Sequence, residues 1–307
     1  MALETLLNIS TRLPVLALRC TIVMKQDGMF DENAGALFHG AFGWSLREAA
    51  PRLWPSAYGP LPQGAIRPFA LYPPSACHWK KGDELNFELT LFSDLACDLT
   101  GIRTALQCIG ERGIGSKRIT FQLKQLVQLC PEGEQLVWSS YRQDLTLLTQ
   151  TSGLDQALIS ASVLWSELPT HRLLAQLNCR SRLHIKDQGQ VLSNPPSATL
   201  LARTIARRLL TLTETVCEHE KSSIYDSFNA LTSVQLAWDH SHELAFNRFS
   251  SRTRQHHHIN GLTGSWGYQG PGILHLLPWL AIGKWLHIGS KTTFGFGSID
   301  WQVAAAE

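Results

Sequence analysis

The sequence predicts an α+β protein built from two tandem ferredoxin-like (RRM-like) domains, on three observations. Residues 16–129 read in the order β, α, β, β, α, β, the split-βαβ unit. A second run in a similar order follows between residues 173 and 303. Two segments echo each other: Ile109-Gly110-Glu111-Arg112-Gly113-Ile114-Gly115-Ser116-Lys117 and Ile282-Gly283-Lys284-Trp285-Leu286-His287-Ile288-Gly289-Ser290-Lys291. Both end in Ile-Gly-Ser-Lys, after a predicted helix and before a predicted final strand. Together these give an N-terminal domain over 1–145, a linker over 146–170 and a C-terminal domain over 171–307.

In the first domain, Leu16 to Met24 is rich in apolar and β-branched residues and reads as a strand. Asp31 or Asn33 caps a helix whose apolar positions are Leu37, Phe38, Phe42 and Leu46. Seven prolines between Pro51 and Pro74 assign that stretch to loop or edge strand. Phe87, Leu89 and Leu91 alternate with polar or small neighbours, as in a half-buried strand. Leu95 to Ile109 has helical spacing with Gly110 as C-cap, and Ile119 to Leu129 returns to strand.

The 145–169 stretch reads as a helical or irregular connection. Leu173 to His184 reads as a strand and Ser197 to Val216 as a capped helix. Ser233 to Trp238 and Glu243 to Arg248 form a hairpin, followed by a glycine-rich strand from Gly261 to Tyr268. Gly272 to Leu280 is a short helix that Pro278 ends or kinks, and Phe294 to Val303 a last strand.

A chain of 307 residues, 44% hydrophobic, has material for a substantial core. That excludes a disordered tail and a disulfide-stapled miniprotein. With 27 basic and 25 acidic residues the net charge is +2, so any polyanion must be bound by local clusters. Seven scattered cysteines without a C-x-x-C pair read as mostly buried free thiols in a reducing compartment. No signal peptide is visible and the most apolar stretch, Gly272 to Leu286, is too short to span a bilayer. The expectation is a soluble, cytoplasmic protein that uses no membrane.

Two kinds of segment carry chemistry. Gly289-Ser290-Lys291-Thr292-Thr293-Phe294-Gly295-Phe296-Gly297 combines conformational freedom with hydroxyls and one point charge, and its N–H groups can cradle a phosphate. A tight turn feeding a strand fits it equally. The densest cationic run is Arg248, Ser250, Ser251, Arg252, Arg254, Gln255 and His256 to His258. Adjacent histidines on a strand face opposite sides, and no cysteine or carboxylate stands nearby, so no metal site is assigned. A solvated hairpin or a phosphate-contacting surface remains for this run. Arg112, Lys117, Arg118 and Lys124 form a second basic stretch, and Arg203 and Arg207 share a helical face.

Hydrolase elbows, zinc-protease helices and paired carboxylates are absent from the sequence, which leaves histidine as the proton-transfer group. Among the twelve, His39 stands out within Gly35-Ala36-Leu37-Phe38-His39-Gly40-Ala41-Phe42-Gly43. Glycines in a helix cost about 0.5–1 kcal/mol each relative to alanine, and here they imply close packing or close approach of a substrate strand to His39. A histidine satisfied within the helix fits the same pattern.

Phe249 to Gln255, Gly261-Leu262-Thr263-Gly264, Leu277-Pro278-Trp279-Leu280 and Leu286 to Gly297 resemble the C-terminal half of the CRISPR precursor-RNA processing endoribonucleases. These belong to the repeat-associated mysterious protein (RAMP) superfamily. His39 to Gly43 with Leu46-Arg47, and Gly110 to Arg118, resemble the family's N-terminal motifs. The resemblance implies tandem ferredoxin-like domains, and cleavage of CRISPR repeat RNA to mature crRNA without a metal or cofactor. The 2′-OH attacks the adjacent phosphorus, leaving a 2′,3′-cyclic phosphate. It implies His39 as the catalytic histidine. It further implies RNA contacts from Arg112, Lys117, Arg118, Arg252, Arg254, Gln255, Gly289, Ser290, Lys291, Thr292, Thr293, Gly295 and Gly297. The partners it implies are repeat RNA or crRNA and other subunits of a CRISPR effector complex. A non-catalytic RAMP subunit that only holds crRNA would carry the same motifs.

Overall fold

The computed structural model describes residues 2–32, 34–142, 154–166, 173–213, 215–250 and 255–305. Its contacts divide the chain into two units. The N-terminal unit is Pro14–Ser152 with Thr293–Gly295, and the C-terminal unit is Met1–Leu13, Gly153–Thr292 and Phe296–Glu307.

The chain opens with helix α1 (Ala2–Thr11), which belongs to the C-terminal unit. The N-terminal unit then runs β1 (Val15–Met24), β2 (Gly28–Phe30), α2 (Ala34–Ala49), α3 (Trp54–Tyr58), β3 (Phe69–Tyr72), β4 (Cys77–Trp79), β5 (Glu84–Phe92), α4 (Leu99–Arg112), β6 (Phe121–Cys130) and β7 (Gly133–Ser139). Its antiparallel sheet is ordered β3-β5-β1-β6-β7, and β2 pairs with β4 apart from it. Leu16, Leu18, Cys20, Ile22 and Met24 share one face of β1 because side chains alternate along a strand. They are buried in one core with Phe38, Phe42 and Leu46 of α2 and Ile102, Leu106 and Ile109 of α4. Each such side chain contributes roughly 1.5–3 kcal/mol by leaving water.

The C-terminal unit runs α5 (Leu154–Ser166), β8 (Leu173–Cys179), β9 (Lys186–Asp187), β10 (Gln190–Val191), α6 (Ala198–Leu212), α7 (Glu218–Ser227), β11 (Gln235–Ser250), β12 (Gln255–Gln269), α8 (Ile273–Leu286) and β13 (Ile299–Ala305). Its main sheet is ordered β11-β12-β8-β13, again antiparallel. Counting the strands of each split-βαβ unit in chain order, both sheets have the order 2-3-1-4. In the first unit β7 extends the edge. The Ile-Gly-Ser-Lys echo falls at the same topological place twice, after α4 and before β6, and after α8 and before β13.

Several elements differ from expectation, each for a local reason. Helix α4 runs past Gly110 to Arg112, and Gly113 at φ +83° ends it. Gly110 sits inside the helix because a Cβ there would come 2.5 Å from the Phe121 carbonyl of β6. Residues Ser93–Cys97 form a separate 3-10 turn, and Asp98 caps α4 by accepting from the Gly101 N–H. The proline-rich stretch holds the short helix α3, with Pro55 in its first turn, where a missing N–H costs nothing. The expected hairpin of 233–238 and 243–248 is instead the single strand β11, whose partner is β12. Gly264, at φ +100°, lets the two strands close where a Cβ would come 2.3 Å from the His240 carbonyl.

Helix α8 continues through Pro278 to Leu286. Its flanks are buried against α5, α6 and β13, and that burial offsets the backbone bond the proline removes. Thr292–Phe294 form a 3-10 turn, and the last strand begins at Ile299. The stretch expected as a linker over 146–170 contains α5, which packs on α1 and α8 in the C-terminal unit. Strand β8 ends at Cys179 and helix α6 at Leu212, both short of the expected ends. No disulfide joins any of the seven cysteines, but the expectation that most of them are buried does not hold. Only Cys20 is fully buried, while Cys97 and Cys217 are exposed.

Candidate functional site

In the N-terminal unit the candidate proton-transfer residue, His39, stands on α2. His39 is half-buried. Its ring lies 4.2 Å from the Phe294 ring, 5.1 Å from Tyr58 and 5.9 Å from Phe69, centroid to centroid. The Tyr58 hydroxyl donates to the His39 carbonyl at 2.6 Å. Burial raises the Tyr58 pKa, partly opposed by Arg67, so the phenol stays protonated and tied to the helix backbone. Arg67 lies over the Tyr58 ring at 5.2 Å and donates to the Ala57 carbonyl. Tyr58 and Arg67 were missed by sequence reasoning because they lie in the proline-rich stretch, where no periodicity points to a neighbour.

The α2 glycines separate by role. A Cβ at Gly35 would stand 2.0 Å from the Phe294 carbonyl, and one at Gly43 would stand 2.8 Å from the Tyr58 ring. Those two serve packing. Nothing lies within 4 Å of a Cβ at Gly40, which leaves the helix open beside His39.

The basic turn after α4 is closed by a bridge between Ile114 and Ile119, and it rests on α2 where Gly115 meets Leu37. Lys117 and Arg118 are exposed, Arg118 at φ +49°. Lys117 also lines a cleft of about 720 Å³ with Lys80, His78, Asp27 and Asp83. Arg112 is exposed but engaged: it pairs with Glu48 and lies 5.7 Å over the Trp44 ring. Lys124 pairs with Glu84.

In the C-terminal unit the segment around Gly289 is folded onto residues 182–184. The Ser290 N–H donates to the His184 carbonyl at 3.0 Å and the Gly297 N–H to the Arg182 carbonyl at 2.8 Å. Gly289 and Gly297 are both at positive φ, and a Cβ on either would strike a backbone carbonyl, that of His184 or Ile288. Ser290 and Lys291 are exposed, whereas Thr292 and Thr293 are buried. The outward chemistry of this segment is therefore one hydroxyl and one ammonium. Thr293 and Gly295 belong to the N-terminal unit, where Gly295 at φ +94° faces Pro73 at 2.6 Å from a Cβ.

Beneath the segment sit three buried basic side chains. His184 Nδ1 donates to the Asn260 carbonyl at 2.6 Å. Burial lowers its pKa against that hydrogen bond, and Lys291 and Lys186 lower it further. Burial, aided by Arg208, pushes His287 down to about 3. Arg208 donates from Nε to the Leu286 carbonyl at 2.6 Å, placing a cation at the C-terminal end of α8. Arg203 and Arg207 are exposed on α6, as their spacing implied. Arg252 and Arg254 lie outside the described residues, and Gln255 opens β12 opposite Ser250. Among the described residues no group of three or more His, Cys, Asp or Glu is placed to hold a metal. No described helix is long and apolar enough to cross a membrane.

Residues 177–299 match the family model of the CRISPR-associated endoribonuclease Cas6, and residues 55–150 match a model described as an N-terminal domain. No curated protein matches the chain. Among solved structures, a Cas6 product complex covers 94% of this chain and is covered in full by it, at 16% identity and a TM-score of 0.60. Cas6 of Thermus thermophilus covers 94% at 13% identity, with 99% of its own chain covered and a TM-score of 0.57. A partial Cas6-RT-Cas1–Cas2 complex covers 95% at 14% identity and a TM-score of 0.64, with 47% of its own chain covered. Residues 177–299 are thus similar to the CRISPR-associated Cas6 endoribonuclease family, and nearly the whole chain shares the fold of the Cas6 structures.

Proposed function

We propose that the chain is an endoribonuclease that cleaves CRISPR repeat RNA in precursor transcripts to give crRNA. The observation that carries this reading is the Cas6 family match over residues 177–299. In the proposed reaction the ribose 2′-OH loses its proton to a base and attacks the adjacent phosphorus. The bond from phosphorus to the 5′-oxygen breaks, and an acid protonates that oxygen. The products are a 2′,3′-cyclic phosphate and a 5′-OH, and no metal takes part. His39 is the proton-transfer group, reached over the open flank at Gly40. Lys117, Arg118, Ser290 and Lys291, all exposed, hold phosphates, with Arg252, Arg254 and Gln255 as further RNA contacts.

The test is incubation with the cognate repeat RNA in EDTA, followed by analysis of the product ends. A cyclic phosphate is expected, and a deoxy substitution at the cut site should abolish cleavage. His39→Ala should slow single-turnover cleavage by about 10²–10⁴-fold with RNA affinity nearly unchanged. Unchanged cleavage would remove His39 from the reaction. RNA that is bound but never cut would make the chain a subunit that holds crRNA within an effector complex.

A further inference from the structure

Between helix α4 and the outer strands of the N-terminal sheet lies a cleft of about 630 Å³ that none of the candidate site residues above lines. One wall is a single stripe of α4, Arg103, Gln107 and Glu111, spaced four apart so that they share a face. Across from it stand Trp138 of the edge strand β7 and Lys25 just after β1, with Ser140 beyond the end of β7.

Two donors here have no acceptor. Trp138 is only 5% exposed, and its indole N–H is buried without a hydrogen-bond partner. The Nε–H of Arg103 is likewise buried and unpartnered, although its guanidinium lies 6.0 Å over the Trp138 ring. A buried donor left unmade costs about 1–3 kcal/mol, and two beside one cleft are offset only by something that brings acceptors. Lys25 and Arg103 carry two positive charges against the single carboxylate of Glu111, so the lining is net positive by one. Gln107 and Ser140 add uncharged donors. This is a complement for a singly charged group rich in acceptor oxygens. Because the guanidinium covers the indole face, a base has no ring to stack on here.

We propose that this cleft binds one phosphodiester of the RNA strand, with the Trp138 indole N–H and the Arg103 guanidinium as its donors and Lys25 as counter-charge. The site rests on the RNA reading above and adds to it a backbone-gripping point on α4 and β7, separate from His39 and from the Gly289–Gly297 segment.

The experiment follows the indole N–H resonance of Trp138, assigned with Trp138→Phe, in the ¹⁵N-labelled full chain. Sodium phosphate at constant ionic strength, and then repeat RNA, should each shift that resonance saturably. Arg103→Gln should weaken both effects about tenfold, the loss of one charge-assisted hydrogen bond. Arg103→Gln and Lys25→Gln should each lower the salt slope of RNA binding by about 0.7. The other indole resonances should stay in place to show that the variants fold. If RNA is bound and cleaved while the Trp138 signal ignores both phosphate and RNA, water satisfies the donors and this site alone is overturned. A phosphate response without any effect of the variants on RNA affinity would overturn the RNA assignment. If the wild type shifts with phosphate yet binds no repeat RNA, the endoribonuclease reading fails and the site stands as one for a free phosphate group. Failure of both phosphate and RNA overturns both.

Discussion

His287 shows what burial does to a single side chain. Its folded-state pKa of about 3 lies below the ordinary 6.5, so on acidification the unfolded chain takes up the proton first. Stability from this residue is level above pH 6.5 and falls between pH 6.5 and 3, by up to about 1.4 kcal/mol per pH unit. His184, lowered in the same direction, adds to the slope. Urea unfolding at pH 7.5 and pH 5 should show a marked loss for the wild type and a smaller one for His287→Asn, a residue that tolerates the φ of +59° found there. An equal loss in both would mean that His287 is not the group titrating. Nothing around His287 in the sequence marks it as buried, since the polar Gly-Ser-Lys that follows reads as a surface loop. His39, by contrast, was legible from its glycine-rich helix. Its aromatic neighbours Tyr58, Phe69 and Phe294 were not, because they come from three separate parts of the chain.

Among the elements, helices α2 and α4 of the N-terminal unit carry opposite lessons about glycine and caps. By propensity alone, alanine at either Gly35 or Gly40 of α2 would stabilise the helix by about 0.5–1 kcal/mol. Gly40→Ala should do so, since its Cβ enters open space. Gly35→Ala should destabilise, because its Cβ would meet the Phe294 carbonyl at 2.0 Å and backbone must move. Thermal melting of the two variants should therefore shift in opposite directions, and a matching sign would contradict the packing around Phe294. In α4, Asp98 both caps Gly101 and pairs with Arg52 at 2.7 Å. Asp98→Ala should cost about 1 kcal/mol, nearly all of it from the cap because the arginine is largely exposed. Helices α2, α4 and α6 were legible as elements from apolar spacing. The ends of α4 and α8 were not, since Gly110 and Pro278 are placed by what packs on them.

At the scale of the whole molecule, chain order and unit membership part company at the N-terminus. Leu6 and Ile9 of α1 are buried, and Arg12 bonds the Thr215 carbonyl and pairs with Glu220, all within the C-terminal unit. Ile9→Ala should cost about 2–5 kcal/mol. Hydrogen exchange should speed up in α5 and α7, against which α1 packs, and leave β1 unchanged although β1 follows α1 directly. Faster exchange in β1 with α5 and α7 protected would assign α1 to the other unit. Duplication is the feature of the whole that was most readable in advance: the repeated element order and the Ile-Gly-Ser-Lys echo correspond to two sheets of the same strand order.

The order of strands and helices, the duplication and the histidine in an opened helix follow from periodicity and glycine spacing, which are local properties that a sequence carries on its face. Which residues surround that histidine, which threonines of the glycine-rich segment turn inward, and which donors line the α4 cleft depend on segments far apart in the chain. Only folding brings those together, because the free energy that selects such contacts comes from burying the two cores and not from any stretch of sequence read alone.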